Sequence, residues 1–300
     1  MSERKMIRPD NLKQGDKVGL TAPSGPLSEE RRQTVLRTVK EWGLEAVAAK
    51  SFYENDDYLA GSDMLRAQDI NNLFADKNIK AVFAVRGGYG CQRIIHLLDE
   101  DIIRQNPKIF AGFSDITALH GFLNNLGLIT YHGPMLGGDL FGDMEDDTVK
   151  SFKAMMFGES AHIEYTGTYA QGPKVAEGIL AGGNLAVIAS SIGTPYEIDF
   201  NGKIVFLEDV GEEPYRIDRM LNQLKQSGSL DKASGFVLGY FTNCEPKSKN
   251  GYSAFQVIQS NLASLNKASL YGLKAGHEKP NLTLPLGAYA RIDGKAISFR

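Results

Sequence analysis

The sequence predicts an α/β fold in two parts: a parallel sheet with helices on both faces, then a smaller part with a mixed, partly antiparallel sheet. Three observations predict it. Short apolar runs alternate with segments of helical period through the first half. Turns rich in glycine or proline follow several of those runs. The second half changes texture and closes on Asp293-Gly294 between two strand-like segments, a hairpin signal.

The elements follow in order. Lys17–Thr21 reads as a buried strand and leads into Ala22-Pro23-Ser24-Gly25-Pro26. Ser28–Trp42 reads as a helix with Val35, Leu36, Val39 and Trp42 on one stripe and Gly43 as its stop. Glu45–Ala49 is a second strand, Asp63–Phe74 a helix, and Ile79–Val85 a strand ending in the turn Arg86-Gly87-Gly88-Tyr89-Gly90. Ile94–Leu98 is helical in period. Lys108–Phe113 runs as a strand into Ser114, and a helix follows over Ile116–Leu126. The stretch Asp143–Lys174 is mixed in texture, and a domain boundary placed there gives parts 1–165 and 166–300. Beyond it Gly178–Ala181 reads as a strand, Gly182-Gly183 as a turn and Asn184–Ile192 as a helix. Ile204–Glu208 and Phe236–Phe241 read as strands; Ile217–Leu224 and Ala254–Leu265 read as helices.

Composition narrows the function. At 42% hydrophobic and 23% charged, the 300 residues can bury a substantial core. A formal charge of −3 gives no electrostatic reason to expect nucleic acid or an anionic membrane as partner. No apolar run is long enough to span a bilayer, and the start, Met1-Ser2-Glu3-Arg4-Lys5-Met6, is polar. Cys91 and Cys244 make neither a disulfide framework nor a zinc site, which fits a reduced, cytoplasmic setting.

Ligands of parallel sheets bind beyond the carboxyl ends of the strands. The loops after Thr21, Val85 and Phe113 all end on that edge, and the third carries Ser114. A serine at a strand-to-helix corner exposes its hydroxyl beside unpaired backbone N–H groups, so Ser114 is a candidate nucleophile. The competing reading is a helix cap, a role serine often fills. The match to a G-x-S-x-G corner is partial, because Ile116 stands where the second glycine would be. A base must come from elsewhere. His277 sits in a loop between Gly276 and Pro280, His132 lies beside a turn and stays a second candidate, and His120 reads as a surface or packing residue. Neither His96 nor His162 has suggestive neighbours. The run Val205-Phe206-Leu207 ends in Glu208 and Asp209, which point to opposite faces of a strand; position alone does not choose between them. Cys91, just past a glycine turn, is a further thiol candidate, although small buried cysteines are commoner. Arg86 suits a substrate carboxylate or, equally, a structural ion pair.

These segments resemble the LD-carboxypeptidases (muramoyltetrapeptide carboxypeptidases), a serine peptidase family that also contains the microcin C immunity peptidases. The likeness is carried by Thr21–Gly25, Ala60-Gly61-Ser62-Asp63, Arg86–Gly90, Gly112–Thr117, His132-Gly133-Pro134, Gly182–Leu185, Leu207-Glu208-Asp209, Pro214–Leu221 and Gly276-His277. The resemblance implies Ser114 as nucleophile, Glu208 as acid and His277 as base. It implies a flavodoxin- or glutamine-amidotransferase-like first domain, with Glu208 and His277 on the second and the site across the interface. The backbone N–H groups of Gly88 and Asp115 are the expected oxyanion donors, and Arg86 a substrate contact. No cofactor or metal is expected. The implied substrate is a murein tetrapeptide cut before its terminal D-alanine, and the implied assembly is a homodimer. Two competing functions remain: inactivation of a toxic aminoacyl-nucleotide, and non-catalytic binding of an anionic ligand. A dinucleotide oxidoreductase is disfavoured because Arg86–Gly90 lacks the G-x-G-x-x-G spacing.

Overall fold

The computed structural model describes residues 5–136, 146–159 and 163–300. These form two compact units: residues up to 159 with Leu282–Pro285, and residues 163–281 with Leu286–Arg300. His162, most of the polar start and parts of the 143–174 stretch lie outside the described residues.

The first unit runs β1 (Lys17–Thr21), α1 (Glu29–Glu41), β2 (Glu45–Ala48), α2 (Asp63–Ala75), β3 (Ile79–Ala84), α3 (Cys91–Ile94), α4 (Glu100–Gln105), β4 (Ile109–Gly112), α5 (Thr117–Asn125), β5 (Thr130–His132) and α6 (Asp147–Phe157). The strands stand in the order β2-β1-β3-β4-β5, all parallel, with Leu20 opposite Phe83 and Val82 opposite Phe110. That is the doubly wound order whose ligand crevice opens between β1 and β3. Val18, Leu20, Val82 and Phe110 are fully buried, as the unbroken apolar runs of a two-sided sheet require. Helices start where the sequence supplies caps: the hydroxyls of Ser28 and Ser62 accept from Arg31 and Leu65 N–H. A strand from far along the chain, Leu284–Leu286, extends this sheet beside β5. Gly133 makes room for it, since a Cβ there would lie 2.6 Å from Thr283 Oγ1.

The second unit comprises β6 (Ile163–Thr166), β7 (Tyr169–Gln171), β8 (Val175–Asn184), α7 (Leu185–Ser191), β9 (Ile204–Val210), α8 (Pro214–Gln226), α9 (Ser229–Lys232), β10 (Gly235–Thr242), α10 (Ala254–Ala263) and β11 (Ala268–Tyr271). The strand beside β5 is β12, and β13 (Tyr289–Asp293) and β14 (Ala296–Phe299) form the expected hairpin with Gly294 at φ +61°. Eight strands stand in the order β6-β14-β13-β8-β9-β10-β11-β7; β8 to β11 are parallel and the flanking strands antiparallel. Helices α7, α8 and α10 bury Leu185, Ile188, Ile217, Leu221, Val257 and Ile258 in one cluster with Val205, Leu207, Phe236 and Leu238 of the sheet.

Two margins of this sheet are separated by only Gly167 and Thr168, which step from β6 to β7. Three Cα–Cα links span at most about 11 Å, so the sheet rolls until its edges face one another. Thr168 N–H donates to Tyr271 O at 2.8 Å and Gly167 N–H to Lys295 O at 2.8 Å across that seam.

One expectation is corrected. Gly182-Gly183 is not a turn; both residues continue β8, paired with Phe206 and Leu207. Their φ values of +129° and +139° explain the glycines, and a Cβ on Gly182 would overlap the Phe206 carbonyl oxygen. The helix expected from Ile116 begins as a 3-10 turn over Ser114–Ile116 before α5. Among the described residues no helix is long and apolar enough to cross a membrane.

Candidate active site

In the first unit the loops after β1, β3 and β4 carry the expected residues. Ser114 is half-buried at the corner between β4 and the 3-10 turn, with φ +66°. A serine in this left-handed conformation stores strain, as corner nucleophiles do. It is not a cap: Phe113 and Ile116 hold the capping positions of the two helical segments, and neither helix start has a side-chain cap bond. The Gly87-Gly88 turn packs on this serine. A Cβ at Gly87 would lie 3.1 Å from Ser114 Cβ and 3.3 Å from its Oγ, a contact so tight that a larger residue would push the serine aside by a few tenths of an ångström. Gly87 O accepts from Gly25 N–H at 3.1 Å, and because the peptide is trans the Gly88 N–H points the opposite way. Gly88 itself has φ +115°. Arg86 is half-buried and forms no hydrogen bond or ion pair with any described residue, so the acidic partner of its structural reading is not found among them.

In the second unit the structure brings Glu208 and His277 together. Glu208, near the end of β9, is fully buried; His277, in the loop after β11, keeps 16% of its side chain exposed. His277 Nδ1 donates to Glu208 Oε2 at 2.6 Å. The glycine before the histidine is sterically required: Gly276 has φ +124°, and a Cβ there would lie 2.8 Å from Glu208 Oε2. Asn281 Oδ1 accepts from Gly276 N–H at 2.9 Å and Ala275 O accepts from Tyr240 N–H at 2.9 Å, which fixes the loop. Burial works against a charged His277 ring, but the hydrogen bond and charge of Glu208, with the charge of Asp209, raise its pKa above 6.5.

Asp209 faces the other way, as strand alternation requires. Its Oδ2 accepts from Ala186 N–H in the first turn of α7 at 2.9 Å, and its Oδ1 from Val210 N–H at 2.8 Å and Asn184 Nδ2 at 3.0 Å. Burial pushes its pKa up to about 6, with the Glu208 charge adding to the rise. Asn184 also reaches Glu208 Oε1 at 3.4 Å, a bridge between the carboxylates that the sequence reading missed.

The other candidates are packing residues. His120 is fully buried between Gly112 O and Thr130 Oγ1, at 2.9 Å from each, and burial lowers its pKa to about 4. His132 is buried against the rings of Phe113 and His120, at 5.9 and 6.2 Å between centroids. Burial, then the Asp115 charge, pushes the Cys91 thiol well above its ordinary range, which removes it as a thiolate nucleophile.

Comparisons with known proteins identify the family. Residues 18–133 match the LD-carboxypeptidase N-terminal domain and residues 177–292 the LD-carboxypeptidase C-terminal domain. A probable murein peptide carboxypeptidase of Bacillus subtilis is 41% identical over 95% of this chain and 91% of its own. The crystal structure of a muramoyltetrapeptide carboxypeptidase from Oxalobacter formigenes is 31% identical, with a TM-score of 0.85 over 94% of this chain and 97% of that one. A microcin C7 self-immunity protein, solved in complex with aspartyl sulfamoyl adenosine, is 28% identical with a TM-score of 0.87 over 97% of each chain. With matches that span both units and almost the full length, this chain belongs to the LD-carboxypeptidase family and is a serine-type carboxypeptidase.

Proposed function

We propose that this protein removes the terminal D-alanine from murein tetrapeptides, with Ser114 as nucleophile, His277 as base and Glu208 as the acid that orients it. The observation that carries the reading is the buried Glu208 carboxylate bonded to His277 Nδ1 at 2.6 Å. That bond leaves Nε2 as the proton acceptor and stabilises the imidazolium that forms. Ser114 loses its proton to His277 as its oxygen bonds to the scissile carbonyl carbon. The resulting oxyanion is held by the N–H groups of Gly88 and Asp115. His277 then returns the proton to the departing D-alanine nitrogen as the C–N bond breaks, and water releases the acyl group from Ser114 by the same steps. Arg86, without a described partner, is the proposed contact for the substrate carboxylate. The names of the Bacillus and Oxalobacter relatives support the murein substrate. The division near residue 165, a cytoplasmic location and a homodimer complete the proposal; sedimentation at micromolar concentration checks the last.

Mass spectrometry of a purified tetrapeptide incubated with the protein tests the reading. A tripeptide and free D-alanine are expected; an unchanged tetrapeptide refutes it.

The pH profile carries a second prediction. His277 acts as the neutral ring, and its pKa is raised, so activity falls on the acid side at a pH above the 6.5 of an ordinary histidine. Stability runs the other way. The contribution of the charged His277–Glu208 pair is fully present below 6.5 and is lost as pH rises through the raised value. Rate and melting temperature measured over pH 5–9 check both; a rate flat across that range removes the histidine base.

One observation favours a second reading. Tyr58 and Tyr89 are each more than half exposed, with ring centroids 6.0 Å apart, and Tyr89 adjoins the Gly88 turn. Open π faces suit a nucleobase, and the microcin relative is solved with a nucleoside-bearing ligand. Faster cleavage of an aminoacyl-nucleotide analogue than of tetrapeptide would select this reading.

A further inference from the structure

Arg66 of α2 is the largest fully buried side chain among the described residues, and the proposed reaction does not use it. A buried cation without a catalytic task is costly unless it is paired and hydrogen-bonded. Here four of the five guanidinium N–H groups are used. Its Nε donates to Gly61 O at 3.1 Å, its Nη1 to Pro23 O and to Gly90 O (3.1 Å from the latter), and its Nη2 to Asp63. Asp63 is held in turn by Arg93 through both oxygens, at 2.9–3.0 Å.

The two loops that Arg66 grips are gripped again by an anion. Asp115, the residue after Ser114, is 5% exposed. Its Oδ2 accepts from Ser24 Oγ at 2.6 Å and from Cys91 N–H at 2.8 Å. The Gly90–Cys91 peptide therefore has its carbonyl on the cation and its N–H on the anion, each end of its dipole facing the favourable charge. Pro23-Ser24 is held likewise, by its carbonyl on Arg66 and its hydroxyl on Asp115. The Gly87-Gly88 turn lies between these anchors. Gly25, next to Ser24, donates to Gly87 O, and Gly90 stands two residues past Gly88. No other side chain offers donors diverging to three carbonyls and a carboxylate; a lysine ammonium radiates from a single point.

We infer that Arg66 and the Asp115 carboxylate are positioning residues that, through Pro23-Ser24 and Gly90-Cys91, fix the Gly87-Gly88 turn against Ser114. The inference rests on the proposed role of that turn in holding the oxyanion, so its test needs a readout that does not depend on the peptide substrate. A fluorophosphonate serves, because the Ser114 oxygen displaces fluoride at phosphorus with the same oxyanion donors and no peptide. Arg66→Lys keeps the charge and loses the fork, while Ser24→Ala deletes one hydroxyl and carries the test alone if the first variant does not fold. Displacement of the turn by a fraction of an ångström is expected to slow labelling and kcat by about tenfold in Ser24→Ala and about a hundredfold in Arg66→Lys, with KM within about threefold. Both variants should melt cooperatively. Wild-type labelling and kcat in a folded variant overturn the inference, as does a change confined to KM. A wild type that labels at Ser114 but releases no D-alanine defeats the murein reading and leaves this one standing. No label on wild-type Ser114 defeats both.

Discussion

Ser114→Ala is expected to lower D-alanine release by at least about a thousandfold while the protein still folds, because removal of a covalent nucleophile leaves only binding and oxyanion stabilisation. The substitution keeps the Cβ, so contact with the Gly87-Gly88 turn persists. Release rate and melting curve together check it; turnover near the wild-type rate removes Ser114 from the reaction. Ser114→Gly separates strain from chemistry. At φ +66° a side chain costs about 1–3 kcal/mol that glycine does not. The glycine variant should therefore be as inactive as the alanine variant but melt at a higher temperature than it. A corner held in this conformation by its surroundings is what a nucleophile needs and what a simple cap does not.

Glu208→Gln is the second large effect. The amide oxygen still accepts from His277 Nδ1, but the negative charge that stabilises the imidazolium is gone, and turnover should fall by about 10²–10⁴-fold. Asp209→Asn makes the control, because that side chain faces away, towards the first turn of α7. Its loss should leave the plateau rate nearly intact and move the acid limb to lower pH, since the Asp209 charge helps to raise the His277 pKa. It should also lower the melting temperature, because an amide cannot accept from both Ala186 N–H and Asn184 while it also meets Val210 N–H. Equal losses of rate in the two variants would leave no ground for assigning the acid to Glu208. Initial rates over pH 5–9 with purified variants decide.

Much of this was legible in the residues. The first helices announce themselves because their ends are marked: Ser28 opens α1, Ser62 opens α2 and Gly43 closes the first. The structure brings Glu208 and His277 within hydrogen-bond distance, and Gly276, read as a loop opener, proves to be the residue that lets the carboxylate approach. Less visible were features decided by partners far along the chain. Gly182-Gly183 looks like a turn in isolation, yet the Phe206 backbone makes it a strand. An arginine within a helix reads as solvated, so Arg66 gave no sign that three loop carbonyls would bury it. Strand β12 is three residues long and carries a proline, too short a pattern to betray its place beside β5.

The seam at Gly167-Thr168 bears on colloidal behaviour. An open eight-stranded sheet presents two unpaired backbone ladders that recruit neighbouring chains. In the second unit the linker's own amides are spent on Lys295 and Tyr271, and the margins are turned towards each other. Gly167 is the latch: any Cβ there would sit 2.6 Å from Leu270 Cδ1 and force the margins apart. A substitution at this one position is expected to part the two margins and leave backbone ladders open to other chains, which light scattering of such a variant checks.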